Sequence, residues 1–356
     1  MPKILSVETE IPPVKITQNE AAEFAKQLFS SSFRDISRLI NVFQNGEIDS
    51  RYFVKDLEWF SKDHSFQEKN DEFIHHAVDL GSKVVDKCLS RHQLTLEEID
   101  AIITISTSGL STPSLEARIM NQLPFSPHVK RIPIWGLGCA GGASGLSRAY
   151  EYCLAFPGAN VLVLSIELCS LTFQHGDRSK SNLIGTSLFA DGVACALVCG
   201  DDSPLIKGIT EPLPAIVATQ STLLEDSLDV MGWEVKENGL YVVFSKDIPT
   251  LVKNWLRPNV EGFIHSNGIE LGDIKHFVAH PGGKKVIEAY RESLGMDESM
   301  TTESMKVLKE YGNMSSVTIL YVLKQFMDKG CEHGDIGLGT ALGPGFSSEL
   351  LLMRWE

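Results

Sequence analysis

The sequence predicts a layered α/β fold made of two similar halves. Three observations lead there. Short apolar segments that read as buried strands alternate with stretches carrying apolar residues at helical spacing. The alternation runs twice, before and after a seam near Gly200–Pro204, which places the halves at residues 1–203 and 204–356. A chain of 356 residues is long enough for two domains, or for one large duplicated unit with a sizeable core.

In chain order, Ile4–Glu10 reads as an opening strand, followed by helical segments through Ile40. Asp71–Ser90 carries Phe73, Ala77, Val78, Leu80, Val84 and Val85 at helical spacing, so an amphipathic helix is predicted. Thr95–Ile99 reads as a short helical turn, with Thr95 as N-cap and Glu98 three residues on. Ala101–Ser106, Ile132–Trp135, Val161–Ile166 and Gly192–Val198 read as buried strands, with a helix at Ala143–Leu154. The second half repeats the scheme. Strands are predicted at Leu205–Ile209, Ala215–Gln220, His276–Ala279, Gly337–Ala341 and Glu349–Arg354, with helices at Lys284–Leu294 and Ser316–Lys324.

Composition narrows the function classes. Hydrophobic residues make up 43% and charged residues 22%, an ordinary globular balance with no low-complexity tract. Apolar runs such as Val161–Ile166 are too short to cross a bilayer. Met1–Val14 lacks the apolar core and cleavage site of a signal peptide, so a cytoplasmic location is expected. The net charge of −14 argues against a nucleic-acid surface, while anionic small molecules need only a local basic cluster. Seven cysteines without a CxxC pair fit neither a disulfide framework nor a zinc site, and Cys153, Cys195 and Cys199 read as core residues.

Four segments could carry chemistry. In Trp135-Gly136-Leu137-Gly138-Cys139-Ala140-Gly141-Gly142 an apolar strand enters a Gly-rich turn, and a helix follows at once. Such a turn presents a nucleophile, and the helix N-terminus should lower the thiol pKa. A buried structural cysteine is the plain alternative. Val278-Ala279-His280-Pro281-Gly282-Gly283 places a histidine between strand and helix, where open α/β sheets gather ligands. Asn313, in Tyr311-Gly312-Asn313-Met314-Ser315-Ser316, opens another helix and could equally be a cap. Gly343-Pro344-Gly345 forms a loop between two strands that a simple turn also explains.

Together, GLGCAGG, VAHPGG, YGNMSS and the closing GPG loop resemble the thiolase-like condensing enzymes. Within these they are similar to the type III polyketide synthases, relatives of chalcone and stilbene synthase with bacterial members. The resemblance runs over nearly the whole chain in the right order. It implies a five-layered αβαβα thiolase-like fold, a homodimer, and Cys139, His280 and Asn313 as catalytic residues. It also implies an acyl-CoA starter, malonyl-CoA extender units, and no carrier protein, metal or redox cofactor. His280 would hold Cys139 as a thiolate, and His280 and Asn313 would donate hydrogen bonds to the malonyl thioester oxygen as carbon dioxide leaves.

By the same resemblance, Phe189 matches one of two gatekeeper phenylalanines between a coenzyme A tunnel and the reaction cavity. The second aligns with Val242, so that aromatic is missing. Thr107, Ser108, Thr112, Thr172, Gly185 and Ser315 match cavity positions. Thr112 falls where plant members place a methionine that reaches into the partner's cavity. Arg51 lies in the region that supplies cations to the coenzyme A phosphates, with an exposed structural arginine as the alternative. The lost bulk points to a long fatty acyl starter and to alkylpyrone or alkylresorcinol products. A priming ketoacyl synthase would carry His-Gln-Ala-Asn and a basic patch, whereas Pro281-Gly282-Gly283 follows His280 here and the chain is acidic. A hydroxymethylglutaryl synthase needs a further catalytic glutamate. A non-catalytic thiolase-fold protein generally loses its nucleophile.

Overall fold

A computed structural model describes residues 1–30 and 36–356. Its strands are β1 (Lys3–Glu10), β2 (Val14–Thr17), β3 (Ser50–Phe53), β4 (Ala101–Ile105), β5 (Lys130–Ile134), β6 (Asn160–Leu168) and β7 (Asp191–Cys199), then β8 (Pro214–Leu223), β9 (Met231–Lys236), β10 (Gly239–Phe244), β11 (Ile274–Ala279), β12 (Ile336–Gly343) and β13 (Ser347–Trp355). Nine of them run in the order β11-β12-β13-β8-β1-β7-β6-β4-β5. The halves meet where β1 touches β8 through Lys3 and Ala215. Pairing repeats on either side: β4–β6–β7–β1 reads parallel, antiparallel, antiparallel, and so does β11–β12–β13–β8.

Side-chain alternation turns the two halves of this sheet into five layers. Along β6, Val161 and Val163 face a core shared with helices Gly141–Ala155 and Thr318–Lys329, which lie between the two halves of the sheet. Leu162 and Leu164 face the opposite way, against Val84 and Val85 of the outer helix Phe66–Ser90. In the second half, Leu350 and Leu352 pack against Val252 and Leu256 of helix Ile248–Ser266 and against helix Lys284–Leu294. The result is the αβαβα arrangement. Burial on both faces is why these strands read as unbroken apolar runs.

Several boundaries differ from the sequence reading. The helix predicted from Asp71 starts at Phe66, because Ser65 and Glu68 form a reciprocal capping box ahead of the first apolar residue. The strand predicted at Leu205–Ile209 is absent. Ser203 accepts a bond from the Leu205 amide and Pro204 opens a short 3₁₀ turn instead. The β9–β10 hairpin, the β2–β3 pair and helix Ile248–Ser266 were not foreseen. The helical run expected through Ile40 appears as Gln18–Phe29 and Ile36–Asn45, and its part at residues 31–35 lies outside the described residues. Among the described residues no helix is long and apolar enough to cross a membrane.

Candidate active site

Cys139 sits in a 3₁₀ turn, Gly138–Ala140, that runs straight into helix Gly141–Ala155. The helix start is pressed against the turn Ser315–Val317: a Cβ on Gly142 would lie 2.1 Å from the Ser316 carbonyl oxygen. The closing loop seals the other side, where a Cβ on Gly343 would lie 2.5 Å from the Leu137 carbonyl and 2.6 Å from Ala140 Cβ. Only glycine permits approaches this close. Pro344 packs against Gly138, and the Gly345 amide donates to the Met231 carbonyl at 3.1 Å.

His280 lies at the end of β11, its amide donating to the Thr340 carbonyl at 2.8 Å. Asn313 follows helix Thr302–Tyr311 across Gly312. Its Nδ2 donates to Gly282 O at 3.2 Å, two residues beyond His280, and its Oδ1 accepts from the Ser315 amide at 2.8 Å. Ser315 and Asn313 both interact with the Cys139 thiol. Cys139 and Asn313, 174 positions apart in the chain, therefore meet at one helix N-terminus, and the Asn313 side chain holds the Gly282 carbonyl two residues beyond His280.

The electrostatics run against the sequence reading of a depressed thiol pKa. Burial pushes the Cys139 thiol up to about 12, with Ser315 and Asn313 pulling the other way. Burial also pushes His280 down to about 3, and neither ring nitrogen has a partner among the described residues. Each charge taken singly lacks the opposite charge that would offset its desolvation. The site can thus present a thiol nucleophile beside an imidazole and a carboxamide suited to hydrogen-bonding a thioester oxygen.

Thr107 and Ser108 are buried beside the site. The Thr107 hydroxyl accepts from the Gly138 amide at 3.1 Å. Thr172, Gly185, Phe189 and Val242 line one apolar cavity of about 50 Å³, walled by Phe24, Phe53, Phe60 and Trp233. Phe189 packs its ring 5.7 Å from Trp233 and 5.6 Å from Phe244. Thr112 is exposed on its loop and does not line this cavity.

Arg51 corrects both readings given to it. It is neither exposed nor free to meet a phosphate: it is 0% exposed, and Nη1 donates to the carbonyls of Thr186 and Phe189, each at 2.7 Å. Its side chain is enclosed by the end of helix Lys180–Leu188 and by Gly312, which accounts for this.

Sequence reasoning missed Glu167. This carboxylate, 0% exposed, accepts from the Thr107 amide (3.0 Å), the Ser108 amide (3.1 Å), Ser108 Oγ (2.6 Å) and Ser316 Oγ (2.5 Å). Burial raises its pKa to about 7 against the pull of these bonds. The signal was the single charged residue of the strand Asn160–Leu168. Among the described residues no group of His, Cys, Asp and Glu could hold a metal ion.

Comparison with known proteins agrees with this geometry. The family models for the N-terminal and C-terminal domains of chalcone and stilbene synthases match residues 4–203 and 215–355. The "Putative chalcone synthase" of Bacillus subtilis (strain 168) is 52% identical, covering 99% of this chain and 98% of that protein. An alpha-pyrone synthesis polyketide synthase-like protein of Mycobacterium tuberculosis (strain ATCC 25618 / H37Rv) is 29% identical, covering 98% and 90%. The crystal structure of 1,3,6,8-tetrahydroxynaphthalene synthase from Streptomyces coelicolor A3(2), a bacterial type III polyketide synthase, superposes with a TM-score of 0.93 at 27% identity over 99% of both chains. The chain belongs to the chalcone and stilbene synthase family and is a type III polyketide synthase, an enzyme of the acyltransferase class.

Proposed function

We propose that the protein takes a long-chain fatty acyl group from coenzyme A onto Cys139 and extends it with malonyl-CoA, releasing alkylpyrones or alkylresorcinols. The observation that carries the choice of starter is the cavity of Val242, Gly185, Thr172 and Phe189, apolar throughout its Phe and Trp walls. A valine at the second gatekeeper position presents less bulk to this cavity than a phenylalanine would. Because its closed volume is small, a long chain enters by displacing the β9–β10 hairpin that carries Trp233 and Val242. The alpha-pyrone relative lends the product class support.

In this reading Cys139 passes its proton to His280 as the starter arrives, so that imidazolium and thiolate each supply the charge partner the other lacks. The thiolate attacks the acyl carbonyl, and coenzyme A leaves as its thiol. His280 and Asn313 then hydrogen-bond the malonyl thioester oxygen, which favours the enolate formed as carbon dioxide departs. The enolate carbon attacks the acyl-Cys139 carbonyl, and the chain returns to Cys139 two carbons longer. No step calls for a metal or redox group or a carrier protein. The active unit is a homodimer, in which Thr112 faces the partner.

The coenzyme A arm has a route of its own. A cavity of about 350 Å³ runs along Ile184, Leu188, Phe244 and Val286, with Gly282 and Gly283 in its wall beside His280. Lys246, Lys284 and Lys285 line it, and Lys284 is paired with Glu47. These cations take the part once given to Arg51.

The deciding experiment incubates purified protein with malonyl-CoA and starters from acetyl- to stearoyl-CoA, plus coumaroyl-CoA, against a Cys139→Ala control. Mass spectra showing tri- or tetraketide pyrones or resorcinols from long starters, absent in the control, support the proposal. Products only from short or aromatic starters would refute the long-chain reading, and full extension by Cys139→Ala would refute the mechanism.

A further inference from the structure

The gate residue and the candidate catalytic amide are one backbone unit. Phe189 and Asn313 form a parallel bridge: the Asn313 amide donates to Leu188 O at 3.0 Å, and the Ala190 amide donates to Asn313 O at 2.9 Å. Arg51 touches both sides of that bridge. Its Nη1 caps the last carbonyls of helix Lys180–Leu188 at Thr186 and Phe189. Its stem lies so close to Gly312 that an added Cβ there would sit 2.7 Å from Cγ and 2.8 Å from Cδ. The glycine, at φ +74°, is therefore required both by its backbone and by the arginine.

A buried cation normally signals an ion pair, and here the nearby carboxylate is already engaged. Asp191 accepts from the Val54 amide at 2.9 Å, the Ser170 amide at 2.7 Å and Ser170 Oγ at 2.6 Å. Asp191 favours the arginine's charge through space, and burial lowers the Arg51 pKa only to about 9, so the guanidinium stays charged at neutral pH. Its hydrogen bonds go to the gate carbonyls. Nε and Nη2 have no hydrogen-bond partner among the described residues, so Nη1 alone carries the arginine's hydrogen bonds, both to the end of the gate helix.

We propose that Arg51 is a positioning residue that fixes Phe189 relative to Asn313 and thereby sets the rate of malonyl decarboxylation. This rests on the function proposed above. Without Arg51, two buried carbonyls lose their donor and the Gly312 contact opens, so the bridge relaxes and Asn313 moves with it. Acylation of Cys139 depends on the thiol and His280 and is left nearly intact.

The test separates the half-reactions in Arg51→Met and Arg51→Lys. Acylation is followed by intact mass after mixing with acetyl-CoA, whose acyl group is too short to fill the starter cavity that Arg51 lines. Decarboxylation is followed without starter: the bond between carboxylate and methylene breaks, carbon dioxide leaves, and the acetyl-CoA enolate takes a proton from water. In Arg51→Met, kcat for acetyl-CoA formation is expected to fall about 100-fold, the scale of a misplacement near 1 Å, with acylation within about twofold. Arg51→Lys, which keeps a cation, is expected to recover part of the loss. An equal fall in both half-reactions, no fall in either, or loss of folding in both variants would overturn the assignment and leave Arg51 as core packing. A wild-type protein that does not decarboxylate malonyl-CoA would overturn the polyketide mechanism, and this assignment with it.

Discussion

Ser316 donates a hydrogen bond of 2.5 Å to Glu167, 149 positions earlier in the chain. The pair links the two halves where the nucleophile helix begins, since Ser316 O also lies against Gly142. Ser165 Oγ joins Ser316 Oγ at 2.8 Å, so the strand holding Glu167 grips this turn twice.

The burial of Glu167 gives stability a specific pH dependence. Burial raises Glu167 from its ordinary 4.5 to about 7, so the folded state holds this proton more tightly than the unfolded one. The stabilisation is complete below pH 4.5 and is lost as pH rises towards 7, by roughly 3 kcal/mol. Asp191, raised to about 6, contributes the lower part of the same window. Urea midpoints of wild type and Glu167→Gln should therefore diverge in slope between about pH 4.5 and 7, the variant being flatter. Identical slopes there would show that Glu167 does not titrate in this range.

Thiolate formation at Cys139 should depend on His280. Burial alone leaves the thiol near 12, where its reactive fraction at pH 7 is negligible. His280→Ala is expected to slow iodoacetamide modification of Cys139 at pH 7 by at least about tenfold, with the rate climbing steadily as pH rises towards 10. Wild type should react well at pH 7 and vary less. An unchanged rate in His280→Ala would mean that the helix N-terminus, not the imidazole, activates the sulfur.

The lysines of the larger cavity can be tested with truncated thioesters. Lys246→Ala with Lys285→Ala should raise KM for an acyl-CoA about tenfold, as expected for two lost charge-assisted contacts. KM for the matching N-acetylcysteamine thioester, which carries no phosphate, should not move. A rise for both substrates would indicate distortion of the cavity instead of phosphate binding.

What could be read from the chain followed from how local each signal was. Cys139, His280 and Asn313 stand in glycine-rich turns, and the close approaches at Gly142 and Gly343 explain why those turns are glycine-rich. The core strands were legible because both faces of β6 are buried. Helix Ile248–Ser266 was hidden by Pro249 and by Pro258 inside it, which normally argue for a break. Arg51 was misread because its burial is set by a distant helix end: nothing in Asp49-Ser50-Arg51-Tyr52 reveals that Thr186 and Phe189, more than a hundred positions on, supply its acceptors. Glu167 was overlooked because its four donors come from two distant loops.

The identity of residue 242 should set starter length. Val242 stands opposite Trp233 in the hairpin, and a Cβ on Gly185 would lie 3.5 Å from Val242 Cγ1 and 3.4 Å from Phe189. A phenyl ring at 242 must project into this same space, restoring the second aromatic gate and filling a cavity of only about 50 Å³. Small added volume in a closed apolar pocket excludes ligands through overpacking, a penalty of about 1–3 kcal/mol. Val242→Phe should therefore lower kcat/KM for palmitoyl-CoA by about 10–200-fold while sparing acetyl- and butyryl-CoA. Acylation and extension should fall together for the long starter, because the obstruction lies in the pocket and not in the decarboxylation step. A chain-length profile identical to wild type would place the acyl chain elsewhere, and the hairpin would then have no part in choosing the starter.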